Sequence, residues 1–194
     1  GCGKSTLIQH FNGLLKPSSG KVFVEGTDIF GKKVNMQKIR ALVGLLFQYP
    51  EHQLFEETVY EDIAFGPKNF GVPDKDIEGR VKHAMASAGM SYDELKGRSP
   101  FTLSGGEKRK TAIAGVLATE PEYIILDEPT AGLDPESRDN ILSGIKELHT
   151  KYKKTVILVT HDMNQVALLC DRVFIMEKGR IVLQSTLNEV FSQV

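Results

Sequence analysis

The sequence has 194 residues, of which 41% are hydrophobic and 25% are charged, and this composition predicts one globular domain rather than a disordered or fibrous chain. A net charge of -1 argues against nucleic acid as a partner, and the short basic runs at residues 108–110 and 151–154 are interpreted as solvated faces or turns. No apolar run could cross a bilayer, no signal peptide opens the chain, and its two cysteines fit a reducing compartment, so a soluble cytosolic protein is expected.

The chain opens on the second half of the pattern G-x-x-x-x-G-K-[ST], with the residues Gly1-Cys2-Gly3-Lys4-Ser5-Thr6. In that pattern backbone N–H groups at a helix start surround phosphates, the lysine reaches the β and γ groups, and the hydroxyl holds Mg²⁺. Residues 7–15 are helix-like. The first glycine and the strand that feeds the loop would precede residue 1, so we expect a fragment that begins inside the motif.

Short strands are predicted at residues 22–24 and 42–47, and the second delivers Gln48 to a loop. Gln48 fits a surface turn, or a ligand of Mg²⁺ or of an attacking water. Residues 51–102 show no strand pattern and carry a helical repeat at residues 76–88, which predicts a small helical insert.

A second glycine motif follows the insert, where Ser104, Gly105 and Gly106 precede a helical run at residues 108–118. A hydroxyl, close backbone approach at glycine and aligned N–H groups together predict an anion site. Taken alone, the motif fits an ordinary serine N-cap better.

An uninterrupted apolar run at residues 123–126 predicts a strand buried on both faces of a parallel sheet. It delivers Asp127 and Glu128 to the edge where open α/β folds place their ligands. One acid of such a pair can hold a metal ion while the other takes a proton, although two acids also fit a solvated loop. Residues 155–160 predict the next buried strand, which ends at His161, a residue that also fits a cap or core position.

The remaining signals concern the last part of the chain. Asp134 and Pro135 predict the N-cap and first residue of a helix. Residues 173–176 and 180–184 predict a hairpin, and residues 186–189 fit a capping box. Because the sequence stops soon after that helix start, a cut C-terminus is also expected.

In this order the motifs resemble those of ATP-binding cassette (ABC) ATPases, over essentially the whole sequence. The resemblance implies an α/β fold of the P-loop NTPase (RecA-like) type, in which helices flank a mostly parallel sheet and a small α-helical subdomain is inserted. The implied domains are residues 1–49 and 103–194 for the ATPase core, with N-terminal strands missing, and residues 50–102 for the helical subdomain.

The resemblance also implies ATP and Mg²⁺ as ligands and assigns a role to each motif. Glu128 would polarise the attacking water and His161 would contact the γ phosphate. Two cassettes of the family close head to tail, so Ser104 and its glycines would complete the ATP site of the opposite chain. The implied binding residues are Gly1, Cys2, Gly3, Lys4, Ser5, Thr6, Ser104, Gly105 and Gly106. The implied magnesium ligands are Ser5, Gln48 and Asp127, and the implied catalytic residues are Glu128, His161, Gln48 and Lys4.

Residues 47–55, 58–67 and 103–110 are similar to the energy-coupling factor importers and the related cobalt and nickel importers. This similarity implies a second ATPase subunit, identical or related, a transmembrane coupling subunit and a substrate-binding membrane subunit. It further implies uptake of a vitamin or a metal ion, a location at the cytoplasmic face of the membrane, and no nucleic acid. The residues expected either to line the groove for a coupling helix or to pack inside the insert are Leu54, Phe55 and Tyr60.

Other ABC classes remain as alternatives, namely a soluble ATPase of translation or DNA maintenance and an exporter cassette. Chromosome-type members insert a long coiled coil between Gln48 and Ser104, where this chain has no sustained heptads. Glu107 stands where many members have glutamine and Ala131 where serine is frequent. Neither residue is implied as a phosphate ligand, so we expect activity to survive both departures.

Overall fold

The computed structural model describes residues 2–191, in which helices flank a three-stranded sheet and two antiparallel hairpins form separate two-stranded sheets. The strands are β1 Phe23–Val24, β2 Thr27–Asp28, β3 Val43–Leu46, β4 Tyr123–Asp127, β5 Thr155–Val159, β6 Arg172–Glu177 and β7 Arg180–Thr186. The helices are α1 Lys4–Phe11, α2 Met36–Leu42, α3 Val59–Asn69, α4 Asp74–Ser87, α5 Tyr92–Leu95, α6 Gly105–Leu117, α7 Pro135–Thr150, α8 Met163–Leu169 and α9 Leu187–Phe191. Two 3₁₀ turns lie at Pro50–Gln53 and Pro100–Thr102.

The central sheet is parallel and has the order β3-β4-β5. Its register places Leu46 opposite Leu126, which in turn lies opposite Leu158. Because all three strands run in the same direction, their carboxyl ends lie at one edge. The predicted strands at residues 42–47, 123–126 and 155–160 are confirmed to within one residue at each end.

Both faces of this sheet are covered by helices, as a parallel sheet requires. Ile124 on one face packs with Ile113 of α6 and Ile145 of α7. The next residue along β4, Ile125, points to the opposite face and packs with Ile8 of α1. The predicted α/β fold with a parallel sheet flanked by helices is therefore confirmed.

The segment between residues 50 and 102 contains only helical elements in the part of the chain that the structure describes. Its core joins Val59 and Ile63 of α3 to Val81 of α4, and Ala114 of α6 completes the same cluster. The predicted helix at residues 76–88 corresponds to α4. A separate subdomain with boundaries at residues 50 and 102 stays a prediction.

Helix ends follow local capping chemistry. The predicted helix at residues 7–15 begins earlier, at Lys4, and ends at Phe11, because Gly13 follows with a φ of +73°. The prediction for α7 is confirmed, since the backbone N–H of Ser137 donates to the Asp134 carboxylate at 2.9 Å. The hairpin of β6 and β7 and the capping box before α9 are confirmed as well.

None of the helices within residues 2–191 combines the length and the apolar character needed to cross a bilayer.

Candidate functional site

Three residues predicted to belong to the site lie just beyond the carboxyl ends of the three parallel strands. Gln48 follows β3, Glu128 follows β4, and His161 follows β5. Since Leu46 and Leu126 are register partners, Gln48 and Glu128 emerge at the same level of the sheet. The parallel topology thus brings together residues that are far apart in the sequence.

Glu128 and His161 are in direct contact. His161 Nδ1 lies 2.7 Å from Glu128 Oε1, and with the carboxylate ionised this nitrogen is the donor. The side chain of Glu128 is 15% exposed, whereas that of His161 is 78% exposed. The carboxylate is therefore largely enclosed, and its partner ring faces the solvent.

The backbone at Glu128 adopts a conformation that is unusual for a residue with a side chain. Its φ is +50°, in the left-handed region, and its N–H donates to the carbonyl of Val159 at 2.9 Å. Strained residues of this kind persist where the surrounding structure fixes them and are concentrated at functional sites. The backbone bond to β5 fixes the main chain of residue 128 at the sheet edge, and His161 contacts its carboxylate.

Asp127, the last residue of β4, is only 3% exposed. Beside His161, the backbone N–H of Asn164 lowers the pKa of Asp162, which caps α8. This carboxylate consequently stays ionised next to the exposed ring of His161.

The predicted phosphate loop forms a tight turn into α1. Gly3 has a φ of +92° and precedes the first helical residue, Lys4. The N–H of Gly179, in the turn between β6 and β7, donates to the carbonyl of Cys2 at 3.0 Å. Ser5 and Thr6 are exposed at the start of the helix. Gly1, also predicted as a binding residue, lies outside the described residues.

Ser104 is the N-cap of α6, as the simpler interpretation predicted. Its hydroxyl accepts from the N–H of Glu107 at 3.2 Å, and the Glu107 carboxylate accepts from the N–H of Ser104 at 2.8 Å. The latter bond lowers the pKa of Glu107. A side chain at Gly106 would meet Ser137 Oγ at 2.9 Å, so this helix start packs closely on that of α7.

The structure does not join the Ser104 motif to the phosphate loop. No hydrogen bond or ion pair within residues 2–191 connects Ser104, Gly105 or Gly106 to residues 2–6. Ser104 and Gly105 are exposed and open to another molecule. Both halves of the predicted nucleotide site are therefore present in this chain but are not joined to each other.

Burial corrects one prediction near this site and decides between the two alternatives that the sequence left open for the groove residues. Arg109, in the basic run interpreted as solvated, is only 1% exposed. Leu54 is 8% exposed and belongs to the core beside the sheet, and Tyr60 packs against the cluster that contains Val59, Val81 and Ala114. Of the three predicted groove residues, only Phe55 is exposed, at 56%.

Arg109, Thr130 and Gln165 are the polar residues that the sequence interpretation missed. All three are buried and hydrogen-bonded to loops of the site. A signal for Arg109 was present, because it lies three and four residues before Ala112 and Ile113, on the apolar face of α6. A charged residue in that register indicates a buried partner.

Oxygen donors, which Mg²⁺ prefers, are available at the predicted metal positions Ser5, Gln48 and Asp127. Within residues 2–191 no group of three or more His, Cys, Asp or Glu side chains could hold a metal ion. This donor set fits Mg²⁺, which is usually held by one or two protein groups together with substrate phosphates.

A family model described as ABC transporter matches residues 1–131. The chain therefore belongs to the ABC transporter family, and it is an ABC ATPase. Energy-coupling factor transporter ATP-binding protein EcfA2 of Clostridium tetani is 56% identical over 194 residues, which cover 100% of this chain and 67% of that protein. EcfA2 of Bacillus subtilis is 50% identical over 193 residues, or 98% of this chain and 70% of that protein. Within the family, the chain falls among the energy-coupling factor ATP-binding proteins, as its sequence predicted.

Solved structures agree with this assignment. The structure of cbiO1 from Clostridium perfringens, part of the ABC transporter complex cbiONQ, superposes with a TM-score of 0.86 at 44% identity, covering 99% of this chain and 76% of that one. The dimeric post-hydrolysis state of the ATP-binding cassette MJ0796, bound to ADP and Pi, gives a TM-score of 0.82 at 26% identity, covering 96% and 81%.

Proposed function

We propose that this chain binds and hydrolyses MgATP as an ATPase subunit of an energy-coupling factor importer that takes up a vitamin or a metal ion. The observation that carries the chemical part is the contact of 2.7 Å between His161 Nδ1 and Glu128 Oε1 at the edge of the sheet. A nearly enclosed carboxylate next to a histidine is suited to orient a water and accept its proton.

Phosphate binding is assigned to the loop before α1 and to its first turn. Lys4 supplies a mobile positive charge for the β and γ phosphates, and Thr6 contacts the α phosphate. The N–H groups at the start of α1 favour an anion at the same place. Cys2 and Gly3 form the backbone of the loop, and the left-handed Gly3 gives it the turn that leads into the helix.

Magnesium is assigned to the hydroxyl of Ser5, the amide oxygen of Gln48 and the carboxylate of Asp127. When bound, the ion neutralises charge on the phosphates. The burial of Asp127 at the end of β4 fixes the direction of its carboxylate, and the exposure of Gln48 leaves its amide free to turn towards a nucleotide.

Hydrolysis requires positioning and charge stabilisation more than covalent chemistry. Glu128 orients the attacking water and takes its proton. His161 holds the Glu128 carboxylate in place and presents its exposed ring towards the γ phosphate. Lys4 stabilises the negative charge on the phosphates.

The exposed start of α6 is the surface at which a second cassette, identical or related, would bind. Ser104 and Gly105 are exposed, Gly106 lies partly buried against Ser137, and none of the three is joined to the phosphate loop of its own chain. A hydroxyl at a helix N-terminus suits a phosphate group. We therefore infer a head-to-tail dimer in which each chain completes the ATP site of the other.

The exposed aromatic rings that follow Gln48 are the surface at which a membrane partner would bind. Phe55 and Phe65 meet edge to face with ring centroids 4.8 Å apart, and they are 56% and 43% exposed. Tyr49 is also exposed. These rings suit the apolar side of a helix from a transmembrane coupling subunit, which would place the chain at the cytoplasmic face of the membrane.

The test is sedimentation of the Glu128→Gln variant with and without MgATP. Nucleotide that is bound but not hydrolysed should hold two cassettes together, so the variant should shift from monomer to dimer. The matched control is Glu128→Gln combined with Ser104→Arg, which blocks the second half of each site and should remain monomeric. A variant that stays monomeric in saturating MgATP would contradict the self-paired dimer.

A further inference from the structure

A single buried cation connects segments of the chain that are distant in sequence. The side chain of Arg109 is 2% exposed, and it lies between the 3₁₀ turn Pro50–Gln53 and residues 129–131. Its Nη2 donates to both oxygens of Glu51 at 3.0 Å, and its Nε lies 3.3 Å from the same carboxylate. Its Nη1 donates to the carbonyls of Pro129 at 3.2 Å and Ala131 at 2.6 Å.

These partners adjoin the proposed catalytic groups. Glu51 follows Gln48 in the sequence by three positions, and Pro129 is the residue directly after Glu128. The planar guanidinium has its donors in fixed directions. Arg109 consequently sets the distance between the turn after Gln48 and the loop that carries Glu128.

The same loop is held from its other side by a buried amide. Gln165 Nε2 donates to Thr130 Oγ1 at 2.9 Å, and Gln165 Oε1 accepts from Thr160 Oγ1 at 3.1 Å. Gln165 Nε2 also lies 3.2 Å from Asp162 Oδ2. Since residues 160 and 162 flank His161, two sets of hydrogen bonds that meet on residues 129–131 together reach all three loops at the sheet edge.

Stability alone does not require this arrangement. Apolar side chains of similar volume usually stabilise a core as well as a buried ion pair does, because the pair must first be desolvated. What apolar groups cannot supply is the set of directed bonds to the carbonyls of Pro129 and Ala131.

We propose that Arg109 is a positioning residue for ATP hydrolysis. It holds the loop that carries Glu128 at a fixed distance from the turn that follows Gln48. This inference rests on the proposed function, in which Glu128 orients the attacking water. Glu51 belongs to a turn that lies between the exposed rings of Tyr49 and Phe55. A partner that moves this turn would therefore move the Glu128 loop through one side chain.

The principal test is the double variant Glu51→Leu/Arg109→Met, assayed for MgATP hydrolysis in the full chain. It removes both charges together, so no unpaired ion is left in the core. The carbonyls of Pro129 and Ala131 lose their donor, so we expect a lower thermal unfolding midpoint in a protein that still folds, and little change in its KM for ATP. The kcat should fall by roughly 10- to 100-fold, the range that follows when a reacting group is misplaced by about 1 Å.

Arg109→Lys is the second variant, for the case in which the double variant folds poorly. Lysine keeps a positive charge beside Glu51 but lacks the fork that holds two carbonyls. It should fold and still show a lower kcat with an unchanged KM. The matched control is Arg80→Met, which removes the 3.1 Å ion pair with Glu120, remote from these loops, and should keep the wild-type kcat.

Glu128→Gln is measured in parallel to separate two kinds of failure. If it is inactive while folded Arg109→Lys and double-variant proteins keep the wild-type kcat, the positioning role is overturned and the proposed function stands. If Glu128→Gln hydrolyses ATP as fast as the wild type, the proposed function fails and the role of Arg109 falls with it.

Discussion

The phosphate loop and the loop after Glu128 carry groups proposed to act on the same nucleotide, but the protein supports them differently. Ser5 and Thr6 are exposed, and the backbone bond from Gly179 to Cys2 ties their loop to the rest of the chain. Residues 129–131 are held from both sides by buried polar side chains. Groups that grip a ligand can be ordered by that ligand, whereas the group that activates water is held in place before the ligand binds.

Glu128→Gln should give the largest effect, since this residue joins the fixed loop to the exposed histidine. We expect steady-state ATP turnover to fall by about 10²- to 10⁴-fold, the usual range for losing a general base, while nucleotide binding is retained. A phosphate-release assay and a nucleotide titration measure the two quantities. Glu94→Gln, at an exposed site in α5, should leave both unchanged; equal turnover of the two variants would contradict the assignment.

Arg109→Ala tests the buried loop by stability. It leaves the Glu51 carboxylate, whose side chain is 20% exposed, without its partner. The free energy of unfolding should fall by about 3–5 kcal/mol, the range for breaking a buried pair. Denaturant unfolding gives this value, and Arg80→Ala, which breaks a pair whose side chains are 28% and 53% exposed, should cost less than about 1 kcal/mol. If the two variants lose equal stability, the loop is not held as the structure indicates.

Lys4→Ala tests the exposed loop by binding. Loss of a charged contact to phosphate should weaken ATP affinity by roughly 10- to 100-fold, from the usual energy of a hydrogen bond between charged groups. The free energy of unfolding should change by less than about 0.5 kcal/mol, because Lys4 has few partners in its own chain. Calorimetric titration measures the affinity, with Lys32→Ala as the control. A stability loss as large as that of Arg109→Ala would remove the contrast between the loops.

Glu107→Gln should give the smallest effect, confined to acidic pH. Bonding to Ser104 lowers the pKa of Glu107, so its charge stabilises the folded state above the pKa of the unfolded chain, about 4.3. That contribution is lost as the pH falls through the lowered pKa. The variant keeps an acceptor for the cap but no charge, so its unfolding free energy should depend less on pH below about 4.5. An unchanged pH dependence would exclude this contribution.

The strands and the site edge were predictable because their signals are local. Residues 123–126 are uniformly apolar and are followed at once by two acids, so both the strand and its polar end follow from the sequence. The helix starts at Asp134 and Ser104 were equally clear, since capping depends on a few neighbouring residues. At these positions the local sequence pattern and the structure agree.

The rest depended on tertiary contacts. The contact between Glu128 and His161 exists because β4 and β5 are neighbours, which spacing along the chain does not specify. Arg109 was misinterpreted because its two flanking lysines resemble a solvated run, while its partner Glu51 is 58 positions away. The short helices α2 and α8 carry too few residues for a periodic pattern and were not predicted.

The bond between Arg109 and Glu51 also constrains how the sequence can diverge. Loss of either charge alone leaves the other without a partner inside the protein, so selection should remove single substitutions at these positions. Lineages that abandon the pair should replace both residues, and positions 51 and 109 should therefore vary together among related ATPases. Covariation of two positions that are 58 residues apart would then show that evolution maintains the support of the water-activating loop as a unit.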